Sequence, residues 1–279
     1  MPGIHVVTDN AADLPPALLA ESGVTVVPLD VRIGDLPADE TRGYSAERFW
    51  EVIEATSALA ETSAPSPGAF RAAFLDAAQA GAEGIVCVTI SSRISATYQA
   101  AVAGAADLPS SVPVEVVDSR SVTLAEGFLV LEAARRAGRG DGLESVASAV
   151  RDRVGKLKVV GALDTLDTLR RGGRIGSAPA FFGSLLSIKP IVEMRDGVVE
   201  GESRQRTRAR SLRYLADVAA AQGPLARLAV AHAAARDLGD FLALLHDARP
   251  DDEILVAHLG PVIGAHTGPG TIGLCMELA

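Results

Sequence analysis

The sequence predicts an α/β protein of two domains, the first a mostly parallel sheet with helices on both faces and the second a smaller α+β domain. Three observations carry this. Up to residue 155, short β-branched runs alternate with helix-length amphipathic segments, the pattern of strand–crossover–strand units. Two of the runs, GIVCVTI (84–90) and VPVEVVDS (112–119), are apolar almost throughout, as strands covered on both faces are. Further along, Asp196-Gly197 between apolar runs is a hairpin signal, and helices and strands follow it in mixed order. The division is placed at 1–157 and 158–279.

In chain order, IHVVTD (4–9) reads as a buried strand, and Asp13 is expected to cap a helix with Pro15 and Pro16 in its first turn. VTVVPLDV (24–31) reads as one strand and YSAERFWEVIEA (44–55) as an amphipathic helix. Ser66 and Pro67 are the cap and first residue of a third helix, GAFRAAFLDAAQAG. The helices SATYQAAVAGAA and LAEGFLVLEAARRAG follow the two apolar strands, and GLESVASAVRDRVG (142–155) closes the first domain. In the second, helix RSLRYLADVAAAQ, strand RLAVAHA, helix DFLALLHDA and strand DEILVAH lead to a glycine-rich end.

Of the 279 residues, 48% are hydrophobic and 22% charged, the balance of a chain that folds compactly. The formal net charge of -9 opposes bulk binding to nucleic acid or an anionic membrane. MPGIHVVTDN has no basic leading region, so no signal peptide is expected, and no apolar run approaches the roughly 20 residues of a membrane helix. Cys87 and Cys275 are expected to be buried thiols rather than a disulfide. The expected location is the cytoplasm, without stable membrane insertion.

Common catalytic signatures are missing. There is no G-x-S-x-G elbow, H-E-x-x-H or C-x-x-C, and no cluster of carboxylates and histidines at metal spacing. GPGTIG (268–273) matches G-x-G-x-x-G as text, but no βαβ unit follows it. No catalytic residue, metal or cofactor is therefore assigned.

What stands out instead is hydroxyls. Ser91 and Ser92 directly follow the strand GIVCVTI, where ligands of open α/β sheets bind, and Thr62 and Ser63 precede another helix start. Caps and turns account for one such residue; two adjacent pairs make a binding role an equal alternative. His266, in GAHTGPG, is expected to sit in close-packed irregular backbone as a ligand contact, whereas His232, His246 and His258 read as structural. LDTLRRGGRIG reads as a helix capped at Gly172-Gly173, its basic last turn complementing the macrodipole. The apolar stretch AFFGSLLSIKPIV (180–192) is core or the lining of a long apolar pocket. SRQRTRARSLR (203–213) is a solvated arginine-rich face or a docking patch for an acidic partner.

Taken together, VVTDNAADLP, TSAPSPGAF, VTISSRISATYQAA, VVDSRSVTLAEGFLVLEAA, LDTLRRGGRIG, SRQRTRARS and GAHTGPGTIG resemble the DegV family, nearly end to end and in the family's order. The resemblance implies a two-domain α/β protein that holds a long-chain, palmitate-like fatty acid between its domains. It implies also that the bound acid is presented to a separate ATP-using kinase subunit, which makes the acyl phosphate for phospholipid synthesis. Carried over by motif, Thr62 and Ser92 match the hydroxyls that hold the carboxylate and His266 the histidine at the same head group. Ser63, Ser91, Arg171 and Thr267 are weaker matches nearby, and Arg206 matches the kinase-docking arginine. Ala96 departs from the family's S-G-T-Y, by one methyl. The alternative is a self-contained enzyme, a serine hydrolase or phosphotransferase acting on a lipid-like substrate.

Overall fold

The computed structural model describes residues 3–36, 38–41, 43–56, 58–109, 113–176 and 188–279. The strands are β1 (Gly3–Asp9), β2 (Thr25–Val27), β3 (Asp30–Ile33), β4 (Ala60–Ser63), β5 (Ala82–Thr89), β6 (Val114–Asp118), β7 (Leu157–Ala162), β8 (Lys189–Arg195), β9 (Val198–Gln205), β10 (Leu225–His232), β11 (Ile254–His258) and β12 (Ile272–Leu278). The α-helices are α1 (Pro16–Ser22), α2 (Ala38–Thr41), α3 (Ala46–Thr56), α4 (Pro67–Gln79), α5 (Thr97–Ala106), α6 (Thr123–Gly138), α7 (Leu143–Val154), α8 (Asp167–Arg171), α9 (Arg208–Ala220), α10 (Leu238–Ala248) and α11 (Pro261–Thr267). They form an α/β fold of two compact units, Met1–Asp30 with Ser63–Gly155, and Val31–Thr62 with Lys156–Ala279.

The first unit is a parallel sheet in the order β2-β1-β5-β6. Phe70 and Phe74 of α4 and Ala100 and Ala101 of α5 pack on Val7, Ile85 and Cys87. Alternate side chains of the same strands face α6 and α7, so the central strands are buried on both sides and their sequences are apolar throughout. Ser66 accepts a hydrogen bond from Ala69 N at 3.1 Å, with Pro67 at the first helical position. Cys87 and Cys275 are both free and buried.

Two local expectations are corrected. Asp13 does not cap α1: it closes the short 3-10 turn Asn10–Ala12 at φ 49°, and α1 starts at Pro16 with Pro15 in the N-cap position. Residues before a proline are pushed out of the helical region, so the consecutive prolines delay the start. VTVVPLDV is two strands, because Pro28 has no N–H to give to a ladder: β2 joins the parallel sheet, while β3 pairs with β4.

The second unit is a six-stranded mixed sheet in the order β11-β10-β12-β7-β8-β9, with β10 and β11 parallel. Its chain-terminal strand β12 lies between β10 and β7, antiparallel to both. Leu212 and Leu215 of α9 and Phe241 and Leu245 of α10 pack with Val160, Val230 and Leu274 of the sheet. Asp196 and Gly197 turn β8 into β9 with φ of 49° and 82°, the doubly positive geometry of a two-residue hairpin. Residues 180–187 of the apolar stretch lie outside the described residues. Among the described residues, no helix is long and apolar enough to cross a membrane.

The contacts do not follow the expected division at 157/158, because residues 31–62 belong to the second unit. Trp50 Nε1 of α3 donates to the Leu259 carbonyl at 2.9 Å, and Phe49 meets the Trp50 ring edge-on with centroids 4.8 Å apart. The sequence pattern shows that α3 has an apolar face; it does not show that the surface receiving it begins some 200 residues later.

Candidate ligand-binding site

Three elements of the second unit meet at one histidine. β4 presents Thr62, α11 presents His266, and α8 ends at Gly172. Thr62 Oγ1 and His266 Nε2 are 2.8 Å apart. The backbone here is not the irregular one expected: Pro261 opens α11 and Gly268, at φ 78°, stops it, so His266 sits in a regular last turn. Gly172 lies against the other side of the ring, where an added Cβ would overlap Nδ1 and stand 2.9 Å from Cε1.

Burial, reinforced by the Arg174 cation, pushes His266 down to about 4, so at neutral pH the imidazole is uncharged and carries one N–H. Among the described residues Nδ1 has no hydrogen-bond partner. A proton there would leave a buried N–H without an acceptor, which favours the tautomer protonated at Nε2. In that tautomer His266 donates to Thr62, and the Thr62 hydroxyl hydrogen is available to an incoming anion. The pair is thus a neutral donor whose direction is set by the ring behind it.

A cavity of about 830 Å³ lies in the same unit, lined on one side by Phe49, Trp50, Ile53 and Leu59 and on the other by Gly264 and Ala265. Ala60 also lines it and shares a strand face with Thr62, while Thr168, another lining residue, shares a helix face with Gly172. Two of the three elements meeting at His266 therefore also line the cavity on the same face. Six charged residues also line it, Glu54, Asp164, Arg208, Arg236, Asp237 and Asp240, and most are paired: Arg208 with Asp237, Arg236 with Glu54, and Asp164 with Lys189.

The other expected residues are distributed as follows. Ser92 belongs to the first unit; its Oγ donates to Asp118 Oδ2 at 2.5 Å, and its N–H to Asp118 Oδ1 at 3.0 Å. Asp118 was not anticipated, although its place at the carboxyl end of β6 is where α/β sheets gather polar groups. Ser91 is fully buried, its Oγ accepting from Arg93 N. Ser63 and Arg171 are exposed. Thr267 gives its hydroxyl to the Ile263 carbonyl, a bond within α11. The expected glycine cap of LDTLRRGGRIG is present, with Gly173 N bonding to Arg170 O and Arg174 N to Leu169 O. Among the described residues no cluster of histidine, cysteine and carboxylate side chains fits a metal.

The arginine run divides. Arg204, Arg206, Arg210 and Arg213 are exposed, with Arg206 just before the Thr207 cap of α9. Arg208 turns inward: it forks onto both oxygens of Asp237 at 2.8 and 3.0 Å and gives a further bond to the Gly270 carbonyl at 2.7 Å. Lysine cannot reproduce that fork, so Arg208→Lys is expected to cost about 1–2 kcal/mol, read by urea denaturation. Arg206→Lys, at an exposed position, is expected to leave stability unchanged.

The fold and these residues define a two-unit α/β protein with, in one unit, an uncharged hydroxyl–imidazole donor and a cavity that has an apolar wall. A sequence model of the DegV family matches residues 3–278, and the chain belongs to that family. It is 38% identical over 278 residues to a DegV domain-containing protein of Streptomyces coelicolor, covering 98% of each chain. Among solved structures it resembles a DegV-family protein of Thermus thermophilus described for its fatty acid binding, at 30% identity and TM-score 0.84, covering 99% of this chain and all of that one. It also resembles the DegV fatty acid binding protein of Bacillus subtilis, at 27% identity and TM-score 0.85 over the full length of both.

Proposed function

We propose that this protein binds a long-chain fatty acid, with Thr62 giving its hydroxyl hydrogen to the carboxylate and the tail lying along the apolar wall of the cavity, and presents the acid to a separate ATP-using kinase. The observation that carries this is the Thr62–His266 pair, oriented to donate and set among the elements that line that cavity. The fatty acid binding of the Thermus thermophilus and Bacillus subtilis relatives supports it.

The chemistry is consistent at both ends of such a ligand. Each buried CH₂ contributes about 0.8 kcal/mol, so a tail of about 14 offers roughly 11 kcal/mol before entropy costs, whereas one charge-assisted hydrogen bond gives about 1.5–3 kcal/mol. The tail sets affinity and the head group sets orientation. A neutral donor leaves a carboxylate oxygen nucleophilic toward a phosphorus atom, which a tight cationic clamp would not. On this reading the protein carries the acid and its partner performs the chemistry, with Arg206 as a docking residue. By its motif Ser92 is a further candidate donor to a carboxylate, and its hydroxyl is given to Asp118.

The test is extraction and mass spectrometry of lipid from protein purified out of bacterial cells. A co-purifying long-chain fatty acid is expected; protein that yields none and takes up none when acid is added would end the proposal. Thr62→Ala is expected to lower acyl phosphate formation by the kinase at least tenfold while fatty-acid retention falls only a few-fold. Equal losses would refute the division between tail and head.

A further inference from the structure

We propose that Trp50 determines which acyl chains the cavity accepts, because its indole is a fixed wall of the cavity rather than a movable one. This deepens the fatty-acid reading and rests on it. The ring is 4% exposed and lines the cavity together with Phe49 and Gly264. Three contacts hold it in place. Its N–H is committed to the Leu259 carbonyl at 2.9 Å, Phe49 stands edge-on to it at an interplanar angle of 75°, and α11 lies against it at Gly264. An added Cβ at Gly264 would come within 2.6 Å of Trp50 Cζ2 and 2.9 Å of Phe49 Cε1, so the helix and the two rings are already at contact.

A side chain free to change rotamer adapts to whatever enters. This one cannot turn without leaving the buried Leu259 carbonyl unpaired and opening a gap against Phe49 and α11. A chain that needs the space is therefore rejected rather than accommodated, and small differences in apolar shape become differences in affinity of about tenfold or more. Since α11 carries both Gly264 and His266, the wall and the head-group histidine are parts of one helix of seven residues. A straight saturated tail and a tail bent by a cis double bond then present different shapes to a wall at a fixed distance.

The experiment is competition between stearic and oleic acid for purified protein, measured as the ratio of their dissociation constants. Trp50→Phe, which removes the N–H and one ring, is expected to shift the ratio about tenfold toward the bent acid. Gly264→Ala, which adds a methyl to the lining and crowds the indole, is expected to shift it toward the straight one. A ratio unmoved in both folded variants, with both acids still bound by the native protein, overturns the role of Trp50 and leaves the fatty-acid reading intact. Native protein that binds neither acid overturns both.

Discussion

Gly172→Ala is expected to uncouple the head-group histidine from Thr62 while leaving the fold in place. The backbone at Gly172 is ordinary, φ −71° and ψ −10°, so alanine meets no conformational penalty there. The cost is steric: the new methyl overlaps His266 Nδ1, and the ring must leave the position that holds Nε2 2.8 Å from Thr62 Oγ1. Overpacking of this kind costs about 1–3 kcal/mol, which a compact two-unit protein is expected to survive. The function suffers more. Without the Nε2–H behind it, the Thr62 hydroxyl has no fixed direction, and acyl phosphate formation is expected to fall about as far as in Thr62→Ala, on the order of tenfold. A second readout is specific to this mechanism. His266 is held at about 4 mainly by burial, so a ring displaced toward solvent should titrate closer to the ordinary 6.5. Proton NMR of the imidazole through an acid titration measures it directly. A ring that still titrates near 4, with normal phosphorylation, would show that α8 yields instead of the histidine.

Gly172 also illustrates what a sequence conceals. LDTLRRGGRIG identifies the glycines as a helix stop, which they are, and that sufficient explanation hides the second task of the first glycine, making room for a ring on another element. Ser66 and Pro67 were legible because a cap and its helix are neighbours in the chain. Thr62 and His266 were legible through their motifs, but their pairing spans 204 positions. The segment 31–62 shows the same limit at larger scale: periodicity gives α3 an apolar face, and only tertiary packing decides that Leu259 and Gly264 receive it. Ser92 was expected to be a donor awaiting a carboxylate. The fold supplies one, Asp118, from the next strand of the same sheet.

The buried carboxyls of the first unit give the largest expected effect of pH. Asp9 and Glu126 are both completely buried, and Thr8 gives its hydroxyl to Glu126 Oε1 at 3.4 Å. Asp9 spends its two oxygens on the N–H groups of Ala11 and Ile90, each at 2.9 Å. Burial raises Asp9 to about 6, and burial together with the charges of Asp9 and Asp13 raises Glu126 well above the ordinary range. Folded protein therefore binds more protons than unfolded protein, so the pair favours the fold most in acid. That advantage is lost as pH rises from about 3.8 through about 6 for Asp9, and onward from about 4.5 for Glu126. His232 and His266, both lowered to about 4, act in the opposite direction, losing stability as pH falls from about 6.5. Comparing a variant with its parent cancels the histidines, since both proteins carry them. Glu126→Gln keeps the shape, keeps an acceptor for Thr8, supplies an N–H toward Asp9 and removes the titration. Its stability relative to the parent is expected to be level below pH 4.5 and to climb by about 1.4 kcal/mol per pH unit above it. Asp9→Asn also removes a titration, so its relative stability should climb between about pH 3.8 and 6 and then level off, but from a lower start: one of the two backbone N–H groups would face an amide NH₂, which adds a cost of about 1–3 kcal/mol at every pH. Urea denaturation from pH 4 to 8 separates the two cases. A Glu126→Gln protein that loses stability uniformly across that range would mean that the carboxyl is held for a hydrogen bond the amide cannot make, and not merely tolerated as a buried acid.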